Sequence, residues 1–255
     1  MLFPLPVPDV PVVPPTTTAD FVRELRGLAP WTSEDLSKLH LLLHKFVATE
    51  PDLLTEFTDP LTPHLDRSVR CPGLLNRVAL ETAALGRASR FDGGALASGE
   101  ALGRQMLALQ SASLQAEAAF RTKPIESHAD ALGRRSAFVD PLTISKFIER
   151  LAESLRPLWV EAPAFAAAAA MTVAAAIHPF MNGNGRMSRI LFNQMLQESG
   201  LTRSYLPLYE IGLVTGGAWL LALRRAQQQG DWEHMMRYLA QSVILCRRLQ
   251  TRLSQ

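Results

Sequence analysis

The chain has 255 residues, 47% of them hydrophobic and 20% charged, with a formal net charge of +2. That is the profile of a globular chain of one or two domains, and it lacks the basic run that nucleic-acid binding by phosphate neutralisation needs. The two cysteines, Cys71 and Cys246, fit no metal or redox spacing, so a reducing, cytoplasmic setting is expected, with export as an effector left open.

Residues 1–15 carry Pro4, Pro6, Pro8, Pro11, Pro14 and Pro15 and no helical pattern. They read as an extended tail that is unstructured, draped over the surface or docked on a partner, and the chain before Asp20 is expected to be dispensable for folding. The first basic residue is Arg23, so the start lacks the positive region of a secretory signal. A first helix is predicted over 19–28 and a second from Thr32 or Ser33 to Thr49, where Leu36, Leu39, Leu43 and Phe46 recur at helical spacing. His40 and His44 lie four apart on that helix, but no third ligand accompanies them, so an amphipathic helix is expected rather than a metal pair. Pro51, Pro60, Pro63 and Pro72 break the next stretch into loop.

Helices are then predicted over 74–90, 95–120 and 143–155, with 121–140 irregular, and Pro157 and Pro163 bracketing a short connection. The run 162–177 is apolar and includes five consecutive alanines. It is short for a membrane span and reads as a helix buried in a bundle, with no membrane partner. Beyond Arg189 a helix reaches Ser199, Gly200 stops it, 201–209 is irregular, and helices follow over 218–228 and 232–253. No sustained strand alternation is present, so the fold class is all-α.

The stretch His178 to Arg189, HPFMNGNGRMSR, separates two of these helices. Gly183 and Gly185 allow a tight turn with positive φ, and Asn184 between them tolerates such backbone. The helix expected to start at Met187 would point its free N–H groups and positive dipole end into the loop, an anion cradle. Arg186 and Arg189, three apart, can fork onto phosphate oxygens, and His178 is the residue type suited to take a proton near neutral pH. Together these suggest chemistry on a phosphate ester.

The same residues resemble the signature of Fic-domain proteins, HPFx(D/E)GNGRxxR, and the similarity extends over roughly Asp130 to Cys246. The resemblance implies a Fic-like helical bundle with the motif loop between two central helices, divided as a proline-rich tail at 1–18, an N-terminal helical region at 19–125 and the Fic-like core at 126–255. It implies a protein nucleotidyl transferase that moves a nucleoside monophosphate from ATP or another nucleoside triphosphate to a Ser, Thr or Tyr hydroxyl of a target protein. His178 would be the general base. Gly183, Asn184 and Gly185 would cradle the α- and β-phosphates, Asn184 also through its side chain, and Arg186 and Arg189 would hold the β- and γ-phosphates. Asn182 stands where the family has a Mg²⁺-binding Asp or Glu, so Mg²⁺ is expected to be weakly held. Asn182 also keeps two alternatives open: a non-catalytic nucleotide-binding scaffold, and a phosphate-ester transferase with another donor.

Family members carry a hairpin flap that holds the target as an extended strand, for which residues 122–139 are the candidate here. Many are restrained by a helix bearing (S/T)xxxE(G/N), whose Glu pairs with the second motif arginine. Ser113 to Glu117 and Thr122 to Glu126 approach this pattern without completing it. No internal brake is therefore expected, and a separate inhibitory partner stays open.

Overall fold

The computed structural model describes residues 2–57, 77–127 and 135–255; Cys71, the prolines at 60, 63 and 72, and the middle of the expected flap lie outside the described residues. The alanine run sets the layout. It forms helix α6, Pro163–Ile177, whose residues are buried almost without exception. Alanine ends at Cβ, so neighbouring helices can come close all round it, and a helix apolar on every face can only sit at the centre of a bundle.

Helices α5 (Ile144–Glu161) and α7 (Asn184–Glu198) flank α6, and α1 (Thr18–Arg26), α9 (Ala218–Gln229) and α10 (Trp232–Leu253) complete its surroundings. Helix α4 (Gly99–Leu114) packs on α5 and α7. Helix α3 (Arg77–Arg87) lies against α4 and α7, with α2 (Ser33–Thr49) and the short α8 (Leu208–Val214) behind it. The expected cap of α2 is a capping box: the Thr32 side chain accepts from the Asp35 N–H, and the Asp35 carboxylate accepts from the Thr32 N–H. The core is one continuous apolar cluster reaching from α1 to α10. No helix among the described residues is long and apolar enough to cross a membrane.

Several boundaries differ from the sequence reading. Helix α5 runs through Pro157 to Glu161 and breaks at Ala162, because Leu155 and Leu158 on either side of the proline are buried against the core and hold the helix together. Helix α4 stops at Leu114, where Gln115 takes a left-handed cap. Helix α8 fills part of the stretch expected to be irregular.

The tail is draped over the body. Strand β1, Leu2–Pro4, pairs in parallel with strand β2, Arg135–Ala137, and the Leu5 N–H donates to the Ala137 carbonyl at 2.9 Å. The Trp232 indole N–H donates to the Asp9 carbonyl at 3.1 Å, and Thr16 and Thr17 both donate to the Glu233 carboxylate. Leu5 and Pro8 are buried by this route.

Candidate active site

Helix α6 ends at His178 because Pro179 follows: the proline ring keeps the preceding residue out of the right-handed helical region. His178 caps the helix at φ 53°, a left-handed conformation rare outside glycine. That turn swings the ring back over its own helix, with Nδ1 at 3.1 Å from the Ala175 carbonyl oxygen. A carbonyl can only accept, so Nδ1 carries the proton in this contact and Nε2 keeps the lone pair. Phe138, just past β2, stacks on the imidazole at 3.9 Å between centroids and 22° between planes. Burial above all, and then the charge of Arg121, hold the His178 pKa below the ordinary histidine value, against the pull of the Ala175 carbonyl. The ring is therefore neutral near pH 7, the state a general base requires.

The loop from Pro179 to Gly183 is closed by Asn184. Its side-chain oxygen accepts from the Phe180 N–H at 2.8 Å and its amide donates to the Phe180 carbonyl at 2.7 Å. Both polar ends of this buried side chain are thus engaged by the loop itself, where the sequence reading gave the side chain a phosphate contact. Phe180 anchors the loop, buried against Phe120 with centroids 5.4 Å apart. Gly183 has φ 78°, and a Cβ there would meet Gln110 Nε2 at 2.7 Å, because the Gln110 amide sits under the loop and donates to the Asn182 carbonyl at 2.7 Å. Gly185 was expected to share the positive φ and does not: it is helical, in the first turn of α7, and the second left-handed residue is His178.

Helix α7 starts at Asn184, three residues earlier than read from the sequence, and the Met187 N–H is the first to bond back, to the Gly183 carbonyl at 2.9 Å. The N–H groups of Asn184, Gly185 and Arg186 precede it and face out of the helix end, the arrangement that receives an anion.

The two motif arginines part company. Arg186 is half-buried at the rim, with one guanidinium nitrogen donating to the Ser113 hydroxyl at 3.1 Å and its Nε without a hydrogen-bond partner among the described residues. Burial first, then the nearby Arg77, lower its pKa. Arg189 is buried and paired with Glu81 of α3: its Nε donates to Glu81 Oε2 at 3.2 Å and Nη2 donates to Oε1. The Tyr205 hydroxyl donates to the same carboxylate, and burial together with that carboxylate keeps the phenol protonated. Arg77 and Arg189 both face the Tyr209 ring, at 4.8 and 5.0 Å. In this structure Arg189 is neither a free phosphate clamp nor a solvated side chain.

Glu81 escaped the sequence reading because its surroundings break the pattern sought. Arg77 stands four residues before it and Thr82 one after, where the pattern has Ser or Thr and Gly or Asn. The two near misses point elsewhere: Glu117 and Glu126 are exposed, and Glu126 faces Arg135 at 3.5 Å. Arg121, Phe138 and Gln110 also carried no sequence signal, since each acts through a fold contact with the loop. The candidate flap is partly formed: Glu126 bridges Ala137 antiparallel, and the Ser127 N–H donates to the Ser136 carbonyl at 2.8 Å. Asn182 lies exposed at the loop tip.

Residues 102–196 match the family model described as the Fic/DOC family. The chain thus carries a Fic/DOC region, and the resemblance read from the motif holds. No curated protein matches the chain. Among solved structures, a segment of Fic-1 from C. elegans bearing one substitution aligns at 19% identity over 93% of this chain and 72% of its own, with a TM-score of 0.51. The unsubstituted segment aligns at 21% identity over 93% and 73%, with a TM-score of 0.49. A Fic family protein from Desulfovibrio desulfuricans aligns at 15% identity over 98% and 76%, also at 0.49. The first of the three supports a shared fold.

Proposed function

We propose that the protein transfers a nucleoside monophosphate from ATP or another nucleoside triphosphate to a Ser, Thr or Tyr hydroxyl of a target protein, and that Glu81 holds it back. The observation that carries this reading is a neutral His178, with Nε2 as its basic nitrogen, on one rim of a loop whose other rim is the bare start of α7. The family match supports transfer of a phosphate-containing group to a protein.

Under this reading the phosphates lie against the N–H groups of Asn184, Gly185 and Arg186, with the Arg186 guanidinium beside them. The acceptor hydroxyl gives its proton to His178 Nε2, and its oxygen forms a bond to the α-phosphorus. The bond from that phosphorus to the bridging oxygen breaks, and pyrophosphate leaves with the electron pair. A base of this kind contributes about 10²–10⁴ in rate. Among the described residues no group of three or more His, Cys, Asp or Glu could hold a metal ion. A Mg²⁺ here would be held chiefly by the nucleotide phosphates, with the Asn182 amide oxygen as its protein ligand, and would neutralise charge on the leaving group. Glu81 competes with the phosphates for Arg189, so the arrangement is a restrained one.

Asn182 favours a second reading, a scaffold that binds nucleotide without transfer. Incubating the protein with each α-labelled nucleoside triphosphate and a cell lysate decides between the two. Label on protein with the wild type or with Glu81→Gln, lost in His178→Ala, supports the transferase. Nucleotide binding with no transfer by any variant supports the scaffold.

A further inference from the structure

We propose that Arg121 is a positioning residue that ties the His178 backbone to both ends of the flap, so that one guanidinium sets where the base stands relative to a docked target. The proposal rests on the transferase reading for its consequence, and on geometry for its content. Arg121 is 3% exposed and uses its donors in four directions. Its backbone N–H donates to the Pro179 carbonyl at 2.9 Å, and its Nε to the His178 carbonyl at 2.8 Å. Nη1 donates to the Lys123 carbonyl at 3.1 Å and Nη2 to the Val139 carbonyl at 2.5 Å. Lys123 lies at the start of the candidate flap and Val139 at its end, so the fork joins the flap's two ends to the residue that ends α6.

The chemistry of the site calls for this residue type. His178 and Pro179 follow a helix end, so their carbonyls have no acceptor role inside the helix. A planar fork of fixed N–H directions reaches three separate carbonyls; a Lys ammonium on the same stem offers a single point. No carboxylate hydrogen-bonds the guanidinium among the described residues, and Asp140 is the acidic group whose charge it feels. A buried cation satisfied only by carbonyls is costly to keep, and apolar packing would fill the same volume more cheaply. What the cation supplies is register between two segments. Phe138 reports that register: it neighbours Val139 and stacks on the His178 ring at 3.9 Å. The Arg121 charge also helps keep that ring neutral.

The test uses the full chain with Arg121→Lys, Arg121→Met and Phe138→Leu, reading the His178 ring protons by NMR, their signals identified by their loss in His178→Ala. Wild type shows the ring-current shift that a stacked Phe138 imposes, and Phe138→Leu removes it. Arg121→Lys, which keeps the charge and loses the fork, is expected to lose most of that shift while its His178 midpoint stays near the wild-type value. Arg121→Met is expected to move the midpoint upward as well. In the transfer assay Arg121→Lys should lower kcat about ten- to a hundredfold with nucleotide affinity unchanged. A purely structural role would lower the melting temperature and leave the shift, the midpoint and the kcat of the folded variant alone. Should Arg121→Met fail to fold, Arg121→Lys decides alone: a wild-type ring shift in it overturns the proposal. The NMR readings need no turnover, so they stand even where the wild type transfers nothing, and that result would count against the transferase reading only.

Discussion

Glu81 meets Arg189 through two hydrogen bonds at once, with Arg189 Nε at 3.2 Å from Oε2 and Nη2 on Oε1, both side chains buried between α3 and α7. The pair joins a helix outside the motif to the second motif arginine, and Tyr205 closes on the same carboxylate. Two opposed effects follow from its burial. Under the proposed function the pair withholds a cation from the phosphates, and its loss leaves a charge uncompensated in the interior.

Glu81→Gln separates these effects. The amide keeps the shape and gives up the charge, so Arg189 is released toward bound phosphate. Nucleoside triphosphate affinity is expected to rise by about 1.5–3 kcal/mol, the worth of a hydrogen bond to a charged group, and the melting temperature to fall. Calorimetric titration beside a thermal melt measures both. Unchanged affinity in a folded Glu81→Gln protein would show that Glu81 does not restrain the site.

Glu210 gives the fold a pH dependence. It is buried in α8 beside Glu81, and burial first, then the Glu81 charge, push its pKa from 4.5 to about 7. The folded state thus holds a proton between those values that the unfolded state has released. The stabilising contribution is complete below about 4.5 and is lost as pH rises through about 7. The loss is at most about 3–4 kcal/mol, from roughly 1.36 kcal/mol per unit. Glu210→Gln should flatten denaturant-derived stability across that range. An equally steep fall in the variant would place the titrating group elsewhere.

Asn182→Asp puts a carboxylate at the exposed loop tip. If transfer is limited by a weakly held Mg²⁺, the variant should turn over faster and reach half-maximal rate at lower Mg²⁺. Removing a stabiliser of developing charge typically costs about 2.7–4 kcal/mol, so a gain of even part of that is easily seen. A Mg²⁺ titration of label transfer with both proteins is the check, and a rate no higher than wild type at every concentration rules the account out.

The proline-rich start tests the sequence reading directly. It is expected from composition to be dispensable, yet Leu5 is buried, Asp9 accepts from Trp232, and Thr16 and Thr17 hold Glu233. Deleting residues 1–17 should lower the melting temperature by about 5 °C, from roughly 2 kcal/mol for the buried Leu5 at 2–4 °C per kcal/mol in a chain of this size. A melt identical to wild type would show that the drape contributes nothing.

Features that depend on near neighbours can be read directly along the chain. Helical spacing of leucines located α2, five alanines in a row marked α6 as the central helix, and Pro179 after His178 ended that helix. The motif loop was legible for the same reason, since its turn and its base lie within twelve consecutive residues, although its helix starts at Asn184 and not at Met187. Which groups meet across distance is set by folding. Arg189 looks like a free clamp in the sequence and is paired with Glu81, which lies 108 residues away on a helix with no recognisable pattern. Arg121 is one arginine in an irregular stretch until folding brings the carbonyls of His178, Lys123 and Val139 around it. Local propensity acts over a few residues, so it can write a helix or a loop into the chain; a buried ion pair or a carbonyl clamp exists only once packing has brought its partners together and excluded water from between them.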